Sequence, residues 1–372
     1  MTLIQSFPGI HFDFGAIREL EPELMARKIR KPILITDKGL VRCGVLQQVL
    51  DALPSGQDYA VFSDIPENPT ILGVEEALKV YQSEACDGIV GIGGGSVLDT
   101  GKALRIITHQ SGTLLSFLDH SSEISAKVAP YITIPTTAGT GAEITFGGGI
   151  HPTENAIGMG LRSPYIKPDM AICDPELTLT LPPHLTAATG MDALGHCIEG
   201  YVSNISNPPI EAITLDGINR VSNYIKRAVN DGNDREARYN MLMAGLEGGM
   251  AIYLGLGPIH ALANTFGNSP LHHGTLVTVS TPAVLRFYEG LIDEKLDKIK
   301  LAMNIEEGTN LADAITDLNE RIGMPFSIRE MGYDQDDLDF MANETFKSHF
   351  NAWAPKKPTL EECRQLVIDT LG

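Results

Sequence analysis

The sequence predicts two domains: an α/β domain over residues 1–178, a parallel sheet flanked by helices, and an all-α domain over 179–372. Three observations predict this. Short, continuously apolar runs alternate with amphipathic stretches up to about residue 175, the pattern of a parallel sheet covered on both faces. Strand-length Val, Ile and aromatic runs nearly vanish after Pro182-Pro183. A turn sequence, Asp174-Pro175-Glu176-Leu177, lies between the two patterns. A chain of 372 residues also exceeds what one compact core usually holds.

The predicted strands follow in order. Lys31–Thr36 (KPILIT) is an apolar run bounded by turn residues, and Tyr59–Phe62 (YAVF) is a second. Asp87–Ile92 (DGIVGI), Ala129–Pro135 (APYITIP) and Met170–Cys173 (MAIC) complete the set. Helical spacing of apolar residues marks Ala16–Arg27, Val74–Ser83 and Val97–His109 between them. The Gly-rich, β-like stretch Glu143–Arg162 reads as a hairpin. In the second half, helices are expected over 183–204, 208–230 and 233–253, with several more to the end.

Composition narrows the function. Twenty-eight Lys+Arg against 47 Asp+Glu give a net charge of −19, which repels a phosphate backbone and an anionic lipid surface. No apolar run reaches the ~18 residues of a membrane span, and the opening MTLIQSFPGI lacks the basic-then-apolar order of a secretory leader. Five scattered cysteines without a CxxC fit a reduced, cytoplasmic compartment and exclude a cysteine-based zinc site.

Two loops point to a nucleotide. Gly91-Ile-Gly-Gly-Gly-Ser96 follows a predicted strand and opens a helix, so Gly93, Gly94, Gly95 and Ser96 offer close backbone approach and free N–H groups to a pyrophosphate. Neither the dinucleotide fingerprint nor the P-loop spacing fits when counted from Gly91, and a tight strand-to-helix turn explains the glycines equally well. Thr136-Thr-Ala-Gly-Thr-Gly141 ends the next strand with a second loop of hydroxyls and glycines, where ligands of open sheets bind. Asp37 ends the first predicted strand; a carboxylate there accepts hydrogen bonds from an adenosine ribose and repels a 2′-phosphate, favouring NAD over NADP. The same Asp37 also suits a simple turn.

A metal constellation follows. Asp192 and His196 are four apart and share a helix face. His260 opens another predicted helix, and His272-His273 lies beyond it. One Asp with two or three of these His would suit Fe²⁺ or Zn²⁺. The Asp-x₃-His pair alone is more often an ordinary helix-surface pair.

Together these pieces resemble the iron-containing (group III) alcohol dehydrogenase family. The resemblance rests on GGGS at Gly93–Ser96 with Asp99 and Lys102, TTAGTGAE at Thr136–Glu143, CDPELTLTLPP at Cys173–Pro183, ATGMDALGHCIE at Ala188–Glu199 and HALA…HHG. Within the family the chain looks most like 4-hydroxybutyrate dehydrogenases, through HFDFGAI, NPPIEAITLDGINR and LHHGTL…PAVLRF.

The resemblance implies a nucleotide-binding α/β domain, a helical domain, and metal and substrate in the cleft between. It places NAD on Asp37, Asn68, Gly93, Gly94, Gly95, Ser96, Asp99, Thr136, Thr137 and Thr140, and Fe²⁺ (or Zn²⁺) on Asp192, His196, His260 and His273. It implies metal-assisted hydride transfer between a small primary alcohol or aldehyde and NAD(H), in a homodimer or larger homo-oligomer. A glycerol dehydrogenase-like, maleylacetate reductase-like or dehydroquinate synthase-like enzyme, or a catalytically silent nucleotide-binding protein, is the alternative.

The chain departs from the family in three places. Asn264 stands where the family usually carries a histidine four residues after His260, and is expected beside the reacting centre. The shortened segment from His260 to His273 leaves His272 as a rival ligand or a catalytic neighbour. A family lysine near Ala156–Gly160 is absent, leaving Gly158 there.

Overall fold

The computed structural model describes residues 6–120, 122–153, 156–267, 269, 271–332 and 337–372. Residues 1–5, read above for a leader, lie outside them. The chain divides into two compact units, one comprising 6–137 and 142–180, the other 138–141 and 181–372.

The first unit is built on β1 (Gly9–Phe12), β2 (Pro32–Ile35), β3 (Ala60–Phe62), β4 (Gly88–Gly93), β5 (Tyr131–Pro135) and β8 (Met170–Cys173), all parallel, in the order β1-β8-β5-β4-β2-β3. β2, β4 and β5 are buried along their whole length. That is why they read as unbroken apolar runs rather than alternating ones. The helices are α1 (Leu20–Ala26), α2 (Lys38–Arg42), α3 (Val45–Asp51), α4 (Ile71–Ser83), α5 (Gly95–Ile107) and α6 (Leu114–Leu118). One apolar cluster joins Ile33, Ile89, Val74, Leu104 and Phe117, and a second joins Leu34, Val90, Ile132, Leu24 and Val49. The sheet therefore has a core on each face.

The five expected strands and the expected helices of this unit are present. β1 and the short α2, α3 and α6 add to them. Expected Glu143–Arg162 is the antiparallel pair β6 (Gly147–Ile150) and β7 (Met159–Arg162); residues 154–155 lie outside the described ones.

The hairpin is tied to the helix that follows the glycine loop. Lys102 of α5 is fully buried, and its ammonium donates to Asp99 at 3.0 Å, Thr145 Oγ1 at 2.8 Å and the Gly147 carbonyl at 2.6 Å. The other Asp99 oxygen accepts the Gly149 N–H at 2.9 Å. Three acceptors thus replace the water that a buried ammonium gives up.

The second unit is helical: α7 (Pro183–Val202), α8 (Pro208–Asn230), α9 (Arg235–Ala251), α10 (Pro258–Thr265), α11 (His273–Tyr288), α12 (Asp293–Ala302), α13 (Leu311–Arg321), α14 (Leu338–Lys347) and α15 (Leu360–Leu371). Prolines at the first turns of α7, α8 and α10 fit, since a first-turn N–H needs no partner within the helix. α7 is buried from Thr186 to Val202. Residues 138–141 group with this unit because glycines let them pass between its helices. Gly141 has φ +61°, and a Cβ there would stand 2.2 Å from Gly249 Cα of α9. Among the described residues no single helix is long and apolar enough to cross a membrane.

The Lys102 network gives a stability prediction. K102A leaves Asp99 and the Gly147 carbonyl without their cation and should cost about 3 kcal/mol, read as a lower urea midpoint. A midpoint equal to wild type would show that the hairpin is held by its strands alone.

Candidate active site

In the sheet, β2 connects outward to β3 while β4 lies on the other side of β2. The strand order therefore reverses between β2 and β4. Loops at the carboxyl ends of those two strands form the crevice where ligands of open α/β sheets bind. Asp37 follows β2. It is the N-cap of α2, one oxygen accepting the Leu40 N–H at 3.0 Å, which is the turn role the sequence offered. Gly93 ends β4, Gly94 caps α5 and Gly95 begins it, so the first N–H groups of a 13-residue helix open at this crevice.

The neighbouring expected residues gather here. Ser96 Oγ donates to the Glu67 carbonyl, joining the glycine loop to the loop that carries exposed Asn68. Thr136 donates its N–H to the Gly93 carbonyl at 3.1 Å, and the Thr137 side chain flanks Gly94. Asp99 lies one turn further along α5 and is spent on Lys102 and Gly149. Thr140 belongs to the loop that packs in the helical unit.

The second cluster lies wholly within the helical unit. Asp192 and His196 come from α7, His260 from α10 and His273 from the first position of α11. The Asp192 Oδ1 atom lies 3.8 Å from His196 Nε2, 3.5 Å from His260 Nε2 and 3.8 Å from His273 Nε2. The His196 and His260 rings stack at 4.5 Å. Asp192 Oδ1 and His260 Nε2 are buried and have no hydrogen-bond partner among the described residues.

Buried polar atoms pointing at one another without bonding are what a missing shared partner leaves behind. Donors about 2.1 Å from a tetrahedral cation stand about 3.4 Å apart, so this spacing fits a divalent metal. Three imidazoles and one carboxylate suit Fe²⁺ or Zn²⁺ better than Ca²⁺ or Mg²⁺.

A residue treated in the sequence only as part of the metal-bearing helix completes the cluster. Glu199 shares a stripe of α7 with Asp192 and His196. Its carboxylate is within 2.6 Å of His260 Nδ1 and accepts the Ile259 N–H at 2.7 Å. A carboxylate on Nδ1 turns the other ring nitrogen, Nε2, toward the Asp192 side. The stripe spacing was the visible signal.

Charge follows the same geometry. Burial disfavours a charged His196 and pulls it down to about 4, the Asp192 carboxylate only partly offsetting this. Burial also opposes a charged His260, but the neighbouring Asp192 and Glu199 carboxylates outweigh it and push it up to about 9. Burial alone would raise Asp192; the three imidazoles instead hold it well below the carboxylate range.

The adjacent histidines separate. His273 joins Asp192 and His260 in a group whose donor atoms all lie within 4.8 Å of one another; among the described residues neither His272 nor His196 is part of that group. His272, the N-cap of α11, lines a cavity of ≈ 410 Å³ with His184, Ala188, Thr275, Met324 and Glu330. Asn264 lies one turn from His260 on α10 and is exposed.

The chain matches the iron-containing alcohol dehydrogenase family model over residues 8–175 and the C-terminal model of the same family over 186–371. It is 40% identical over 384 residues to a 4-hydroxybutyrate dehydrogenase of Cupriavidus necator, covering 100% of both chains. It is 32% identical over 369 residues to a lactaldehyde reductase of Escherichia coli (strain K12), covering 95% of this chain and 96% of the other. A crystal structure of 1,3-propanediol oxidoreductase superposes with a TM-score of 0.94 at 30% identity, covering 100% of each chain. A sulfoacetaldehyde reductase from Bifidobacterium kashiwanohense in complex with NAD+ gives 0.91 at 26% identity, covering 100% of this chain and 99% of the other.

Metal content tests the cluster. H273A should lose most bound metal, and H272A should keep most of it. E199A should weaken metal affinity about 10–100-fold, with E199Q closer to wild type because an amide oxygen still accepts from His260. Equal metal loss in H272A and H273A would contradict the assignment.

Proposed function

The chain belongs to the iron-containing alcohol dehydrogenase family, and from that premise we propose that its physiological substrate is a short ω-hydroxy acid of the 4-hydroxybutyrate type, interconverted with its semialdehyde. The reaction class is NAD-dependent oxidoreduction of small primary alcohols and aldehydes. Convergence of Asp192, His196, His260 and His273 carries the catalytic part of the reading. Full-length similarity to a 4-hydroxybutyrate dehydrogenase supports the substrate class. The four donors also favour a working dehydrogenase over a catalytically silent nucleotide-binding protein.

On this reading the first unit holds NAD(H). The opened N-terminus of α5 and the Gly93–Gly95 backbone take the pyrophosphate, and Ser96, Asn68, Thr136, Thr137 and Thr140 shape the surrounding loops. Asp37 keeps one oxygen for an adenosine ribose while the other caps α2. Asp99 acts indirectly, by fixing the hairpin beside α5.

The second unit holds iron on Asp192, His196, His260 and His273. When bound, the cation supplies Lewis acidity toward a substrate oxygen. Glu199 fixes the His260 ring, and burial of His196 keeps its nitrogen neutral and ligating. Asn264, which cannot carry a proton near neutrality, orients substrate or nicotinamide through its amide, and the proton leaves through water or the cofactor ribose. His272 is a neighbour of the site through the α11 N-cap.

The remaining parts of the proposal are a cytoplasmic homo-oligomer without nucleic-acid or membrane partners. A net charge of −19 and five cysteines outside any disulfide support them.

NADH absorbance with an aldehyde panel tests the reading. Succinic semialdehyde should be reduced with a higher kcat/KM than butyraldehyde. A preference for the neutral aldehyde would contradict the substrate class. Independently, D37G should raise kcat/KM for NADP(H) relative to NAD(H) by removing a repelling carboxylate; an unchanged ratio would place Asp37 away from the ribose. In a third arm, N264H should add a pKa to the pH–rate profile, whereas N264A lowers kcat/KM without one; an N264A enzyme equal to wild type on every aldehyde would place Asn264 outside the site.

A further inference from the structure

The β6–β7 hairpin runs along α5 toward the end that opens at the glycine loop. The Lys102 ammonium donates to the Gly147 carbonyl at 2.6 Å, and one turn nearer the helix start Asp99 accepts the Gly149 N–H at 2.9 Å. Two residues further along the chain, His151 reaches the loop that precedes α4. Its N–H donates to the Pro69 carbonyl at 2.8 Å, and its carbonyl accepts the Ile71 N–H at 3.0 Å. Ser96 holds the same loop to the first turn of α5, through the Glu67 carbonyl. His151 is thus delivered to the place where Gly93–Gly95 open the α5 N-terminus.

Its side chain emerges on the open face of the hairpin. Side chains alternate along a strand, so Gly147, Gly149 and His151 share one face. The other face packs inward: a Cβ on Gly148 would stand 3.0 Å from Asp99, and Ile150 is fully buried. A Cβ on Gly149 would meet nothing within 4 Å, and one on Gly147 only the Leu161 carbonyl at 3.9 Å. The half-buried His151 ring is tied to the hairpin loop. Nδ1 lies 2.7 Å from the Ala156 carbonyl, and a carbonyl only accepts, so Nδ1 carries the hydrogen. Nε2 is then the acceptor of the neutral ring. It lies beside Gly158, where a Cβ would stand 3.1 Å away. Gly158 is the exposed position where the family's lysine is missing, and a side chain there would crowd the imidazole.

Resting on the NAD site proposed above, we infer that His151 is a cofactor-binding residue whose Nε2 accepts a hydrogen bond from a hydroxyl of the nicotinamide ribose. The chemistry of the dinucleotide selects that group. Its pyrophosphate offers only acceptors, which suit the N–H groups of α5 and not a bare ring nitrogen. Its riboses offer hydroxyl donors. Asp37, after β2, takes the adenosine ribose on the same reading, so the sugar on the far side of the pyrophosphate remains for His151. The two glycines of the hairpin face leave room for that sugar beside the ring, and Gly158 leaves room for the ring itself.

Calorimetry on the metal-loaded enzyme tests this with NADH, ADP-ribose and ADP. ADP-ribose keeps both sugars, whereas ADP keeps the pyrophosphate and only the adenosine sugar. H151N can still donate to the Ala156 carbonyl but has no atom where Nε2 stood. It should bind NADH and ADP-ribose about tenfold more weakly, the worth of one hydrogen bond, and should bind ADP as wild type does. H151Q, whose longer amide reaches the Nε2 position with an acceptor, should recover most of the loss. NADH affinity in H151N equal to wild type overturns the proposal while leaving the cofactor site intact. Equal weakening of ADP and ADP-ribose overturns it too, and moves His151 to the phosphates. Failure of wild type to bind any of the three removes the cofactor site, and the role of His151 with it.

Discussion

The Asp192 carboxylate is 3% exposed and its Oδ1 atom meets three imidazole nitrogens at 3.5–3.8 Å without a hydrogen bond to any of them. An ionised carboxylate in that position is costly unless positive charge is brought to it. Three helices are arranged to do so. α7 supplies Asp192 and His196, α10 supplies His260, and α11 supplies His273. Their approach depends on Gly274, because a Cβ there would stand 2.3 Å from the Ala188 carbonyl of α7. His260 and His196 respond oppositely to the same burial because only His260 touches a second carboxylate, Glu199. The cluster is thus a balance of charges that a divalent cation would complete.

The first unit solves a different problem. A nucleotide pyrophosphate needs backbone N–H groups without side chains in the way. The reversal of strand order between β2 and β4 leaves a crevice, and Gly93–Gly95 opens the α5 N-terminus into it. Lys102 and Asp99 use buried charge as mortar, tying α5 to the β6–β7 hairpin. Charge that is satisfied by the protein holds the fold in this unit; charge that is left over marks the site in the other.

Much of this was legible in the sequence. Strands buried on both faces leave continuous apolar runs, so β2, β4, β5 and β8 were visible; the edge strand β3 was visible through its apolar run YAVF although Val61 is exposed, and the long helices α7, α8 and α9 were visible too. β1 was not, because an edge strand with only partly buried residues, GIHF, has no such run. The short α2, α3 and α6 escape a periodicity that needs two turns or more. The i, i+4 spacing put Asp192 and His196 on one helix face, but the meeting of α7 with α10 and α11 is long-range packing that spacing does not encode. For Asp37, ribose acceptor and turn residue were alternatives in the sequence; the structure shows the turn cap.

Thermal unfolding of the metal-free protein, with and without added Fe²⁺ under anaerobic conditions, in wild type and D192N, tests the central claim most directly. Metal that binds only the folded state stabilises it by about 2.7 kcal/mol at a hundredfold excess over Kd. The account predicts a clear metal-induced rise in Tm for wild type and little or none for D192N, whose side chain is nearly the same size but carries no charge. An equal rise in both proteins would contradict it.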